Sequence, residues 1–195
     1  LLDALGWSSA VLVGTSYGGF TALALAVAEP QRVRALVAVE PPMMKYAALS
    51  AAGRAAAADF RTRVIEPANA AFRAGRDEEA ARLMTGGING AASSLNDGAA
   101  LARRLQNVDA MKALALSTDE FPWLAPEQLA ALPMPVLLMS GARTPAVHAE
   151  IFRNVCAAMP QAQALVMPDA GHGVARDAAA AFNTTVLDFL RARST

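Results

Sequence analysis

Ser16 lies in the run Val11-Leu12-Val13-Gly14-Thr15-Ser16-Tyr17-Gly18-Gly19-Phe20-Thr21, an apolar stretch that passes through a glycine-framed serine into a helical pattern. A serine on a strand-to-helix turn with G-x-S-x-G spacing is held in strained backbone that pushes its Oγ clear of the sheet edge. Gly14 and Gly18 are expected where strand and helix backbones approach too closely for a Cβ. The helix that follows turns its first N–H groups toward the place where an oxyanion would form, and the Tyr17 N–H is the natural donor. This is the equipment of a serine nucleophile. The blander reading is that Ser16 simply caps a helix in a chain rich in small residues. The context disfavours it, because β-prone residues precede the motif and residues 20–29 continue as a helix stopped by Pro30.

A nucleophilic serine needs an imidazole that takes the Oγ proton and later returns it to the leaving group. His172, set between Gly171 and Gly173, is the candidate. The other histidine, His148, opens a helical segment and is expected to be solvated. Val33–Val39 and Val136–Met139 are short apolar runs without alternation, as strands buried on both faces of a parallel sheet should be. A weaker fourth strand is expected over residues 164–167. Helical patterns separate these runs, which gives βαβ units with right-handed crossovers. Ligand groups in such sheets gather at the carboxyl ends of the strands, and Ser16, Glu40, Arg143 and His172 all fall just beyond expected strand ends.

Taken with their order, these segments resemble the α/β-hydrolase family over most of the chain. Residues 29–42 resemble the helix end and sixth strand of that fold, and Pro133-Met134-Pro135-Val136-Leu137-Leu138-Met139-Ser140-Gly141 resembles its seventh. Ala170-Gly171-His172-Gly173 is similar to the loop that carries the family's catalytic histidine, and residues 182–190 are similar to its closing helix. The resemblance implies a parallel-sheet α/β core with a helical lid insertion, a Ser16–His172 pair and no cofactor. It also implies that the first strands, with the loop supplying a second oxyanion donor, lie upstream of Leu1. The alternative is a reduced fold that starts here.

The acid of the triad departs from the family pattern. A Gly-x-Asp run is usual after the seventh strand, whereas this chain has Gly141-Ala142-Arg143-Thr144-Pro145, and Arg143 cannot orient an imidazolium. Glu40 is the substitute: it ends the strand after the nucleophile helix, where some members, haloalkane dehalogenases among them, place their acid. From there a carboxylate could hold Nδ1–H of His172 and fix its tautomer. Glu40 could instead cap a lid helix or pair with Arg143. Asp169 is a runner-up that stands too close in sequence to His172, and Asp119 and Glu120 rank below it.

Composition sets the class. At 195 residues and 54% hydrophobic, the chain can bury a sizeable core. Its 17 basic and 17 acidic side chains show no basic stripe, which disfavours nucleic acid and anionic membrane as partners and leaves a small-molecule substrate. A single Cys156, expected at a buried helix position, rules out an internal disulfide, and with two histidines it makes a structural metal site unexpected. No apolar stretch reaches transmembrane length, and a cytoplasmic setting is the weak expectation.

Three parts are expected: residues 1–42 and 133–195 as hydrolase core, and residues 43–132 as a helical lid insertion, since a structureless connection of that length would be improbable. Within it, helices are expected over 45–59, over 61–74, from Asp77 to Gly86-Gly87, and over 97–116, with another starting at Pro126. The stretch 86–98 is expected to be the most mobile. Met43, Met44, Met84 and Met111 either line an acyl pocket or, as the favoured reading, fill the core.

The reading that results is a serine hydrolase for a small ester or related acyl or C–C substrate. Ser16 attacks, His172 acts as base and then acid, Glu40 orients His172 and Tyr17 N–H holds the oxyanion. Cofactor-free perhydrolysis or acyl transfer on the same triad is an alternative, as is a hydrolase-like fragment without catalysis.

Overall fold

The computed structural model describes residues 1–90, 93–117 and 121–192. Four parallel strands form one sheet in sequential order: β1 (Ala10–Thr15), β2 (Val33–Val39), β3 (Val136–Gly141) and β4 (Gln163–Met167). The expected βαβ architecture is present, and the fourth strand begins one residue before its expected start. Apolar side chains alternate along β2. Leu36 and Ala38 join a core on one face with Leu138, Leu23 of the first helix and Ile151. Ala35, Val37 and Val39 join a second core on the other face with Leu137, Met139, Val186 and Phe189. This two-faced burial is why β2 and β3 read as unbroken apolar runs. Strand β1 lies at the sheet edge, with Val11 and Val13 exposed.

Helix α1 (Tyr17–Ala28) returns from β1 and stops before Pro30. Between β2 and β3 stand α2 (Met44–Ala47), α3 (Ala51–Phe60), a π-helical turn (Arg61–Ile65), α4 (Glu66–Arg73), α5 (Asp77–Asn89), α6 (Gly98–Leu105), α7 (Val108–Ala115) and α8 (Pro126–Ala130). The chain then supplies α9 (Ala146–Ala158), α10 (Val174–Asp177) and α11 (Ala179–Arg191) around β3 and β4.

The helical segments differ from expectation in detail. The helix expected over 45–59 is broken, because the Ser50 hydroxyl accepts from the Gly53 N–H and starts a new helix there. The segment expected over 97–116 is two helices. Helix α5 does not stop at Gly86-Gly87. It runs through to Asn89, because a Cβ at Gly87 would strike Val64, so this glycine serves helix packing and not termination. Residues 71, 72 and 80 form a small separate core against Leu83, Met84, Val108 and Met111. Among the described residues no helix is long and apolar enough to cross a membrane.

Two glycines let the chain approach closely at the strand ends. A Cβ at Gly14 would collide with the Gly18 carbonyl and the Gly19 nitrogen, and one at Gly141 would collide with the carbonyls of Ala170 and Gly171. Gly18, by contrast, has open space; the second tight glycine of the elbow is Gly19, whose Cβ would lie 3.0 Å from the Gly14 oxygen. Gly14→Ala and Gly141→Ala are each expected to lower stability by roughly 1–3 kcal/mol, because backbone must shift to admit the methyl group. Gly18→Ala should be nearly neutral. Urea unfolding of the three variants checks this, and equal stability of all three would contradict the close-approach account.

Candidate active site

Ser16 leaves β1 with φ 53° and ψ −122°, a region that residues with a Cβ rarely occupy. Its backbone N–H donates to the Val39 carbonyl at 2.7 Å, tying the turn to the end of β2. One residue further along β2, Glu40 also has positive φ, 46°. These two are the non-glycine residues with positive φ among the described residues, and their strands are paired in register, Thr15 against Val39. The strain is located where the two side chains must turn toward one sheet edge.

The imidazole of His172 joins them. Its Nδ1 stands 2.7 Å from Glu40 Oε2, and its Nε2 stands 3.1 Å from Ser16 Oγ. An ionised carboxylate can only accept, so Nδ1 carries the proton and Nε2 presents its lone pair to the serine hydroxyl. His172 reaches this position because its loop closes over the end of β3, where Gly141 lacks a Cβ and Arg143 N–H donates to the Ala170 carbonyl at 2.9 Å.

Glu40 is almost fully buried, and a buried carboxylate is tolerated when its lone pairs are satisfied. Oε1 accepts from the Ser140 hydroxyl at 2.7 Å and the Gly141 N–H at 2.8 Å; Oε2 accepts from the Thr144 hydroxyl at 2.6 Å as well as from His172. Burial by itself would raise the carboxyl pKa. The hydrogen bonds from His172, Thr144, Gly141 and Ser140 outweigh burial and hold Glu40 below the usual carboxylate value.

Glu40 therefore neither caps a helix nor pairs with Arg143. The Arg143 guanidinium donates to the Asp169 backbone carbonyl. The Asp169 carboxylate belongs to an exposed residue, while Asp119 and Glu120 lie outside the described residues. Ser140 and Thr144 are site residues that sequence reasoning missed. The available signal was the segment 140–145 itself: where an acid is usual, the chain offers the hydroxyls of Ser140 and Thr144, which suit a carboxylate arriving from β2.

His148 is a correction. It is not solvated: 6% exposed, it packs its ring against His172 (centroids 4.6 Å apart) and edge-on to Phe60 (5.8 Å). As the third residue of α9, it is turned inward between α3 and the His172 loop, where burial and then the nearby His172 push its pKa down to about 4 against the pull of Glu40. Neither ring nitrogen has a hydrogen-bond partner among the described residues. Glu40, His148 and His172 each bring a donor atom within 4.8 Å of the others. Cys156 is half-buried on α9, its thiol raised to about 11 by burial.

A cavity of about 540 Å³ opens beside Ser16 and His172. Its apolar wall includes Phe60, Ile88, Phe121, Met44, Met84 and Met111, so three of the four methionines line it and Met43 alone is core. Arg61, Arg104 and Arg176 also face it. Arg176 bonds Asp177 and, at 3.4 Å, the Asn89 side chain. Arg104 has no carboxylate partner among the described residues; burial, and then the Arg176 charge, make its protonated form less favourable than usual.

Thr144→Val leaves Glu40 one donor short and is expected to cost about 1–3 kcal/mol near neutral pH. A depressed carboxylate contributes stability that is complete above its ordinary pKa of 4.5 and is lost as pH falls through the lower folded value. The gap between variant and wild type should therefore close in acid. Urea midpoints measured from pH 7 downward test this, and a gap that stays constant in acid would show that Thr144 acts on something other than the carboxylate.

The sequence profile of the family described as alpha/beta hydrolase fold matches residues 1–177. The chain is 29% identical over 196 residues to the 2-hydroxy-6-oxononadienedioate/2-hydroxy-6-oxononatrienedioate hydrolase of Cupriavidus pinatubonensis, covering 97% of this chain and 65% of that protein. A similar protein of the same description from Paraburkholderia xenovorans is 28% identical, with the same coverage, so the chain spans about two thirds of the length of these relatives. Among solved structures, the carboxylesterase CesB of Bacillus subtilis superposes with a TM-score of 0.67 at 23% identity over 97% of this chain and 62% of that one. A thermophilic esterase superposes with a TM-score of 0.70 at 24% identity over 99% and 69%.

Proposed function

The chain belongs to the α/β-hydrolase fold family, and from that premise we propose that it is the catalytic part of a serine hydrolase acting on a small acyl compound that bears a carboxylate. The observation that carries the reading is the continuous line Ser16 Oγ–His172–Glu40, at 3.1 and 2.7 Å, on strained backbone at one sheet edge. In this reading His172 Nε2 takes the Oγ proton as Ser16 attacks the carbonyl carbon. The Tyr17 N–H, free of an intrahelical acceptor as a first-turn amide, donates to the oxyanion. His172 then protonates the leaving group, an alcohol oxygen of an ester or a carbon next to a ketone, and the acyl-serine is released by water through the same base. Glu40 keeps Nδ1 protonated throughout. The helices over residues 43–132 serve as the lid, since they supply most of the cavity wall.

The carboxylate is supported by the arginines. Arg104 and Arg176 place two guanidinium groups near one another on a mostly apolar wall, a charge arrangement that an anionic substrate group would relieve. The relatives' names describe dioates, which carry two carboxylates.

Labelling of the protein by a fluorophosphonate probe is expected at Ser16 and is expected to vanish in Ser16→Ala. Glu40→Gln should lower kcat by roughly 10²–10⁴ with little change in KM, because the tautomer is no longer held. Equal labelling of Ser16→Ala, or near-normal turnover by Glu40→Gln, would sink the triad assignment.

Arg104→Gln should raise KM for an ester of a dicarboxylic acid roughly 10–100-fold, the worth of a charged hydrogen bond, and leave a neutral ester of similar length unaffected. Equal losses on both esters would refute the anionic subsite and leave the triad reading standing.

A further inference from the structure

Buried polar atoms in folded proteins are paired, and an exception calls for an explanation. The imidazole of His148 is such an exception. Both ring nitrogens are sealed from solvent and lack a partner among the described residues, and a buried donor or acceptor left unpaired is destabilising. A phenyl group would fill the place between Phe60 and His172 without that cost. What distinguishes histidine there is a nitrogen lone pair, and it lies beside two further donors, the His172 ring and the Glu40 carboxylate.

We propose that Glu40, His148 and His172 form an inhibitory site for a divalent transition cation of the zinc type. The donor set, two imidazoles and one carboxylate, is that of many zinc centres, and all three residues are buried. Zinc at about 2.1 Å from each donor spaces the donors roughly 3.4 Å apart. Here they lie within 4.8 Å, so the His148 ring must move in by roughly 1 Å, while the Glu40–His172 pair, hydrogen-bonded at 2.7 Å, opens by roughly 0.7 Å to admit the ion. Glu40 can keep its bonds from Ser140, Gly141 and Thr144 while turning one lone pair of Oε2 from the His172 proton to the ion.

The ion stops catalysis whichever nitrogen of His172 it takes. Bound at Nε2, it consumes the lone pair that faces Ser16. Bound at Nδ1, it displaces that proton, the neutral ring carries its remaining hydrogen on Nε2, and the general base is again lost. Magnesium, a hard cation that prefers oxygen donors, should not substitute. The inhibitory consequence rests on the triad reading above, whereas the binding itself does not.

The experiment uses Zn²⁺ with the Cys156→Ala protein, which removes the one thiol that could bind zinc elsewhere. Calorimetric titration is expected to saturate near one ion per chain, with no response to Mg²⁺, and His148→Phe in the same background should weaken binding by at least roughly tenfold. Zn²⁺ should also slow fluorophosphonate labelling of Ser16, a chelator should restore it, and labelling of the His148→Phe protein should be much less sensitive, each rate taken relative to that protein's own metal-free rate. His148→Gln, which keeps a polar side chain but no imidazole, serves if the Phe variant does not fold. Zinc affinity unchanged in both variants would overturn the site. Tight, His148-dependent binding without slowed labelling would overturn the inhibition, and absence of labelling even without metal would instead count against the triad while the titration still reads the site.

Discussion

A charge buried at the end of β2 governs this structure. Glu40 can remain ionised inside the protein because four donors from three segments converge on it. The Gly141 N–H and the Ser140 hydroxyl come from β3, the neighbouring strand; Thr144 comes from the turn after it; His172 comes from the loop after β4. Moving any of these elements leaves a carboxylate short of partners in a low-dielectric surrounding, which costs several kcal/mol. The carboxylate thus fixes the relative positions of three strand ends, and the serine-facing imidazole is one consequence of that fixation.

Backbone strain is concentrated at the same edge. Ser16 and Glu40 occupy positive φ, each at an energetic cost of order 1–3 kcal/mol. Both lie immediately beyond in-register residues of β1 and β2, and the Ser16 N–H is bonded to Val39, the residue before Glu40. The two turns therefore brace one another. The tight helix-to-strand approach at Gly14 and Gly19 leaves α1 no freedom to relax the serine, and the two cores on either face of β2 hold that strand rigid. A flexible loop could carry the same side chains but could not keep Oγ, Nε2 and Oε2 in line.

Much of this was legible in the sequence, for reasons that can be named. Strands buried on both faces show as apolar runs, and a serine between glycines after such a run has few other uses, so β1, β2, β3, Ser16 and His172 could be read from local pattern. Glu40 could be read because it ends a strand and because Arg143 stands where an acid is usual. The parts that could not be read depend on contacts across long sequence separations. Ser140 and Thr144 look like ordinary strand-end and turn residues until a carboxylate from about 100 positions earlier is placed against them. His148 looks like a solvated residue at a helix start, and its burial follows from Phe60 and His172 closing on it from separate elements. Gly87 reads as a helix stop because the side chain it accommodates, Val64, belongs to another helix. The sheet positions followed from periodicity, and the helical segments between β2 and β3 were harder because their boundaries are set by packing against one another.

The charges of the site complete the argument. The chain as a whole carries 17 basic and 17 acidic residues, so no long-range field draws in an anion. In the proposed reading the attraction is local: Arg61, Arg104 and Arg176 face a mostly apolar cavity. Glu40 lies on the opposite side of His172, behind the ring and out of the cavity. The imidazole thus stands between a buried negative charge and a positive wall, which in the proposed reading favours an anionic acyl group beside the serine. In the proposed reaction, developing negative charge on a carbonyl oxygen near Tyr17 N–H and developing positive charge on His172 are both met by groups already in place. On that proposal, the preorganisation of an edge built from three strand ends and one loop favours the charge distribution of the transition state over that of the resting site.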